Sequence, residues 1–283
     1  MSPIESEEGV SVAEDDVERE EIIALEREFH WLLKNEVHQV LHELTVVLKE
    51  CVKRFPMSLC DVERPPLVEK YLLNAPSTTP TDQVKVIVTL TGDAISQADI
   101  NLKLPRPGKD LYQNTNVRED QPWRLQQIQD AGNHLQLAIT EMGTIDDDYQ
   151  FKSAEEVDRF LSRVMSYLQK SRSALVNPRK RTLEELHNSK QLKALNPQLP
   201  SELALSFFIQ GWKLVFAVYH IVNDKGVSKF NRYQAECAIP WINEVLLTLT
   251  IGLQTAQQLR DKVKVFTQYQ DLDLDHPVAS IDP

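Results

Sequence analysis

The chain has 283 residues, 42% apolar and 26% charged, a globular composition with enough length to bury a core. Three scattered cysteines, Cys51, Cys60 and Cys237, exclude a disulfide framework or a cysteine zinc site, and with no glycosylation sequon they point to a reducing, intracellular compartment. The net charge of −11 sits at the ends, with nine acids and one base in residues 1–21 and four aspartates and no base in 271–283; the near-neutral body between them argues against nucleic-acid binding.

Residues 1–18 lack aromatics and are acidic, so they are neither a secretory signal nor a transit peptide and are expected to be a disordered tail. Residues 19–56 form the first helix. Ile22, Leu25, Phe29, Leu32, Leu33, Val37, Val40, Leu41, Leu44, Val47 and Leu48 recur at three- and four-residue steps, and Pro56 ends the run. A seven-residue leucine frame keeps only Leu25 and Leu32 before Gln39 and Val46 break it. So wide a stripe predicts a bundle helix rather than a two-stranded zipper, and a monomer when the chain is isolated.

The period then changes to two, and residues 57–118 read as a β-domain. Val84, Val86, Val88 and Leu90 alternate with polar residues, as do Ala98, Ile100, Leu102 and Leu104. Gly92-Asp93 lies between the runs, so 83–104 is a hairpin. Leu67–Leu73 reads as a third strand and 105–118 as loop. Helices return over 119–223. The first has Trp123, Ile128, Leu135, Ile139 and Met142 on its stripe. The second starts at a Ser153/Glu156 capping box and buries Val157, Phe160, Leu161, Val164, Leu168 and Leu175. A shorter one follows a Thr182/Glu185 capping box, and another, capped by Ser201, carries Leu203, Phe207, Leu214, Val218 and Ile221. Residues 224–238 fit either a further strand or a loop. Residues 239–270 form the last helix, with Pro240 in its first turn, and 271–283 are a second acidic tail. The apolar run from Ile239 to Leu253 is interrupted by Pro240, Asn243, Glu244, Thr248 and Thr250, and falls short of the about 20 residues of a membrane span. The fold class is therefore mainly α with a small β part (α+β). An α-helical bundle is closed by the N- and C-terminal helices, and a small antiparallel sheet domain is attached to it.

No phosphate-binding glycine loop and no nucleophile elbow occurs. His38 and His42 are one helical turn apart, but no glutamate follows His38 and no further metal ligands are suggested, so they read as ordinary helix histidines. The cysteines read as structural. Asp146, Asp147 and Asp148 lack calcium-loop spacing and read as a solvated loop. Arg179-Lys180-Arg181 reads as a solvated basic turn, and Trp31, Trp123, Trp212 and Trp241 as helix residues of core or interface. These readings give no catalytic, cofactor or metal residues and no enzyme.

Five ordered segments carry a resemblance. They are Leu25 to Leu44 (LEREFHWLLKNEVHQVLHEL), Thr81 to Arg106 (TDQVKVIVTLTGDAISQADINLKLPR), Arg118 to Ile139 with WRLQQIQDAGNH, Tyr149 to Lys152 (YQFK), and Glu236 to Phe266 with ECAIPWINEVLL and QQLRDKVKVF. Over about 22–270 the chain resembles the Rogdi family, whose members are often labelled leucine-zipper proteins. The resemblance implies a helical bundle with a small β-domain. It also implies similarity to the small subunit of the RAVE complex, which promotes reassembly of the V-ATPase from V1 and Vo. The implied partners are rabconnectin-type WD-repeat scaffolds, with the V1 sector contacted directly or through them. The implied place is cytoplasmic, peripheral on endomembranes or synaptic vesicles through those partners. The alternative that goes with the zipper label is a coiled-coil regulator at the nuclear envelope or in the nucleus. The family brings no cofactor and no motif that fixes partner-contact residues.

Overall fold

Helix α1 spans Glu8–Trp31 and passes through a single π-helical turn, Leu32–Glu36, into α2, Val37–Arg54. Phe29, Leu33, Val37 and Leu41 are four residues apart and all buried. On an ideal helix of 3.6 residues per turn such steps drift round the axis, and the wider π turn takes up the drift. The helix starts earlier than the sequence reading allowed. Residues 8–18 of the expected disordered tail are helical. The structure is a computed structural model and describes residues 8–60, 63, 65–75, 84–105, 110–224 and 227–272. Residues 1–7 and most of the expected tail at 271–283 lie outside them.

The last helix, α7, runs Pro240–Leu272 antiparallel to α1 and α2. Phe29 stacks on Phe266 with ring centroids 5.5 Å apart, Glu36 pairs with Lys262, and Arg54 pairs with Glu244 at 3.3 Å. Helix α3 spans Gln126–Met142 and α4 spans Ala154–Val176. Asp158 and Arg260 join α4 to α7 at 2.6 Å, Arg163 and Glu141 join α4 to α3 at 2.6 Å, and the Ser171 hydroxyl donates to the Ala131 carbonyl at 2.8 Å. These pairs make each of those neighbours antiparallel. The core between them holds Leu44, Leu48, Leu135, Val157, Leu161, Val164, Leu168, Val245 and Leu249, each at most 1% exposed. Each such side chain contributes about 1.5–3 kcal/mol through burial. The first and last helices thus close one bundle.

The β part is two antiparallel sheets where one was expected. The first has order β1-β2-β3-β4, from Val68–Leu73, Val84–Thr91, Ala94–Leu104 and Leu111–Val117, with β5, Trp123–Arg124, paired to the start of β3. Val84, Val86, Val88 and Leu90 face inward, as do Ala98, Ile100, Leu102 and Leu104. Gly92, at φ +61°, takes the first loop position of the hairpin, and a bulge at Ser96 lets Ile95 face inward out of step with Ala98. Strand β4 corrects the loop expected over 105–118. Only Leu111 and Val117 are apolar on its inward side, too few to print an alternating pattern. Trp123 belongs to β5 and not to the helix stripe, and α3 begins only at Gln126.

The second sheet, β6-β7-β8, comprises Leu203–Gln210, Lys213–Asp224 and Val227–Ala238. It replaces the helix expected after Ser201, and of the stretch 224–238 it makes Asp224 the end of β7 and Val227–Ala238 a strand, with 225–226 outside the described residues. Leu203, Phe207, Leu214, Val218 and Ile221 happen to fall at helical spacing. Here Ala204, Ser206, Val215 and Ala217 are buried as well, so two-sided burial erases the alternation. Gly211, at φ +64°, turns the β6–β7 hairpin. Asn74, just past β1, and Glu236 of β8 exchange backbone hydrogen bonds of 3.1 and 2.8 Å and join the two sheets. Two short helices, α5 at Leu183–His187 and α6 at Lys190–Lys193, lead into the second sheet. Thr182 and Glu185 form the complete capping box read from the sequence.

Candidate functional site

The residues that could have carried chemistry are placed apart. His38 is half-buried, its ring 5.8 Å from that of Phe151, while His42 on the next turn is exposed. Among the described residues no group of three or more His, Cys, Asp or Glu side chains is placed to hold a metal ion. Cys51 is buried against α7, its sulfur 4.0 Å from the Val245 carbonyl, and burial pushes its thiol up to about 12. Burial, helped by the Glu236 carboxylate, pushes the Cys237 thiol up to about 11. Neither thiol is a nucleophile at neutral pH, since the thiolate is the reactive form. Cys60 is half-buried, at φ +53°.

Asp146, Asp147 and Asp148 are exposed between α3 and α4. Arg179, Lys180 and Arg181 are exposed before α5, with Arg179 3.7 Å from Glu185. The four tryptophans divide. Trp123 and Trp241 are buried, while Trp31 on α1 and Trp212 in the β6–β7 turn are about half exposed. Trp212 is therefore a hairpin-turn residue, not a helix residue.

What the molecule offers is surface, and the outer face of the second sheet gathers aromatic rings around an arginine. The strand register places Phe208, Tyr219, Ile221, Phe230 and Arg232 on that face. The Arg232 guanidinium lies 5.9 Å from the Phe208 ring centre and 6.0 Å from that of Tyr219, and the Phe230 ring meets Tyr219 edge-on at 6.1 Å. The sequence reading missed this face because it took 201–221 for a helix and left 224–238 open between strand and loop. The signal that survives two-sided burial is Gly211, a turn residue in the middle of the expected helix.

Residues 28–232 match the family described as Rogdi leucine zipper containing protein. The chain belongs to the Rogdi family. It is 44% identical over 256 residues to Protein rogdi of Drosophila melanogaster, covering 90% of this chain and 93% of that one. Against Protein rogdi homolog of Homo sapiens it is 38% identical over 272 residues, covering 87% and 93%. Against the Caenorhabditis elegans homolog it is 30% identical over 251 residues. In this Rogdi chain the seven-residue frame of the family's label divides between inside and outside. Leu32 is 1% exposed in the bundle, whereas Gln39 and Val46 face solvent. No helix among the described residues is long and apolar enough to cross a membrane.

Proposed function

We propose that this Rogdi-family chain is a non-catalytic adaptor subunit of a RAVE/rabconnectin-like complex, and that it supports assembly of the V-ATPase and acidification of vesicles. The observation that carries the reading is family membership over nearly the whole length of its relatives. The partners are rabconnectin-type WD-repeat scaffolds, and the V1 sector is reached directly or through them. The chain works in the cytoplasm and sits on membranes through those partners.

Two features of the molecule support an interaction role. The buried thiols are held protonated, and the apolar stripe of the first helix is used up inside the bundle, leaving sheet and helix exteriors as the surface on offer. The test is affinity purification of the tagged full-length chain with mass spectrometry. Recovery of a WD-repeat scaffold together with V1 subunits is the expected result. Their absence, with nuclear-envelope proteins recovered instead, overturns the reading.

A further inference from the structure

We infer that the outer face of the β6–β8 sheet, centred on Phe230 and Arg232, is a docking surface for an acidic, apolar segment of a protein partner. This rests on the adaptor reading and names the surface through which an adaptor would act.

The two faces of the sheet differ in what they still lack. Its inner face is closed, with Leu205, Phe207, Ile209, Leu214, Phe216, Val218 and Ala235 buried. Its outer face leaves Phe230 51% exposed and Tyr219, Ile221 and Phe208 partly exposed. Strands β7 and β8 also outrun β6. The Ile221 N–H makes the last bond to the β6 side, to the Glu202 carbonyl at 2.8 Å, and the ladder pairs from Val222↔Lys229 to Asp224↔Val227 have no third strand among the described residues. A two-stranded ribbon is only marginally stable in water, so an aromatic ring at its base gains from a cover.

The charge on this face says what the cover is. Glu202, Lys213, Arg232 and Glu236 fall here by register. Glu236 is engaged by Lys213. Arg232 has neither a hydrogen bond nor a carboxylate partner among the described residues, and its contacts are the faces of Phe208 and Tyr219. Ala217, the next outward residue of β7, is small and fully buried beside that arm. A guanidinium laid over two rings is held in place while its planar fork of donors stays open, which suits a carboxylate bound through two parallel hydrogen bonds. The partner segment therefore brings an Asp or Glu to Arg232 and apolar side chains to Phe230, Tyr219 and Ile221. An anionic membrane is the poorer fit, because lipid surfaces select clusters of basic residues, whereas here two carboxylates balance Lys213 and Arg232.

The experiment measures the affinity of the purified full-length chain for the WD-repeat scaffold, comparing wild type with Phe230→Ser, Arg232→Gln and Arg232→Lys. Phe230→Ser and Arg232→Gln are expected to bind about thirty-fold more weakly, the effect of losing a hot-spot residue. Arg232→Lys falls between, because it keeps the charge and loses the fork. A photo-reactive residue at position 230 should cross-link to an acidic stretch of the scaffold, which keeps the test open if a variant folds poorly. Equal affinities for wild type and all three variants, without cross-linking from 230, overturn this surface and leave the adaptor reading intact. A wild-type chain that does not bind the scaffold at all overturns the adaptor reading, and this proposal with it. Binding to phosphatidylserine vesicles that is lost in Arg232→Gln also overturns it, in favour of a membrane site.

Discussion

The side-chain amide of Gln127 closes both free backbone groups of Ile209. Its Oε1 accepts from the Ile209 N–H and its Nε2 donates to the Ile209 carbonyl, each at 2.8 Å, and Nε2 also reaches the Ala174 carbonyl at 2.8 Å. One residue of α3 thus stands in for a neighbouring strand at the edge of β6 and ties that edge to α4. Gln127→Ala strands these groups in a partly buried place, where an unmet donor or acceptor costs about 1–3 kcal/mol. The expected loss in urea denaturation is about 2–4 kcal/mol. An unchanged midpoint would show that the sheet does not depend on this tie.

Gly252 of α7 sits where three helices meet. A methyl group there would lie 3.4 Å from Leu44 Cδ1 and 3.6 Å from both Leu168 Cδ1 and Leu48 Cδ2, which is ordinary contact. Gly252→Ala should therefore keep the packing and gain up to about 1 kcal/mol from helix propensity. Gly252→Leu overfills the junction and should lose about 1–3 kcal/mol. Thermal melts of the two variants, moving in opposite directions, check the bundle geometry.

Glu156, near the start of α4, accepts the Lys152 backbone N–H at 2.8 Å and the Tyr149 hydroxyl. The backbone bond first, and the hydroxyl next, hold its carboxyl below the usual carboxylate range. A depressed carboxylate adds stability that is present above its unfolded value and is lost as pH falls through the folded one. Glu156→Gln should therefore be less stable than wild type at pH 7. The difference should shrink once the pH drops below the ordinary glutamate range. A gap that stays constant from pH 7 to pH 3 contradicts this. Ser153 caps the same helix through the Glu156 N–H, but Glu156 turns to Lys152 and not back to Ser153, so the capping box read from the sequence is only half made.

The stripes of α2, α4 and α7 were legible because each helix buries one face and leaves the other wet, and that asymmetry is written in the sequence as a 3.6-residue period. The β2–β3 hairpin was legible for the matching reason at period two. Strands β6 and β7 were not, because Ala204, Ser206, Val215 and Ala217 are buried on the face opposite Leu205 and Phe216, and two buried faces leave no period. The β4 strand was hidden by its polar composition. The docking face was out of reach as well, since Phe208, Tyr219 and Arg232 come from three strands and meet only through the register.

With its apolar stripe buried in its own bundle, the isolated chain is expected to be a monomer, to be checked by light scattering at micromolar concentration. The same argument separates two positions of the leucine frame. Leu32→Ala removes a core side chain and should cost about 2–5 kcal/mol, while Val46→Ala, at a position 49% exposed, should change stability by no more than about 0.5 kcal/mol. Comparable losses at both positions, or a stable dimer, would restore the intermolecular zipper.

The adaptor account is tested most directly by vesicle pH and membrane-bound V1 in cells lacking the protein. The account predicts a raised vesicle pH and less V1 on membranes, with V-ATPase subunits at normal levels. Normal pH together with normal membrane-bound V1 would contradict it.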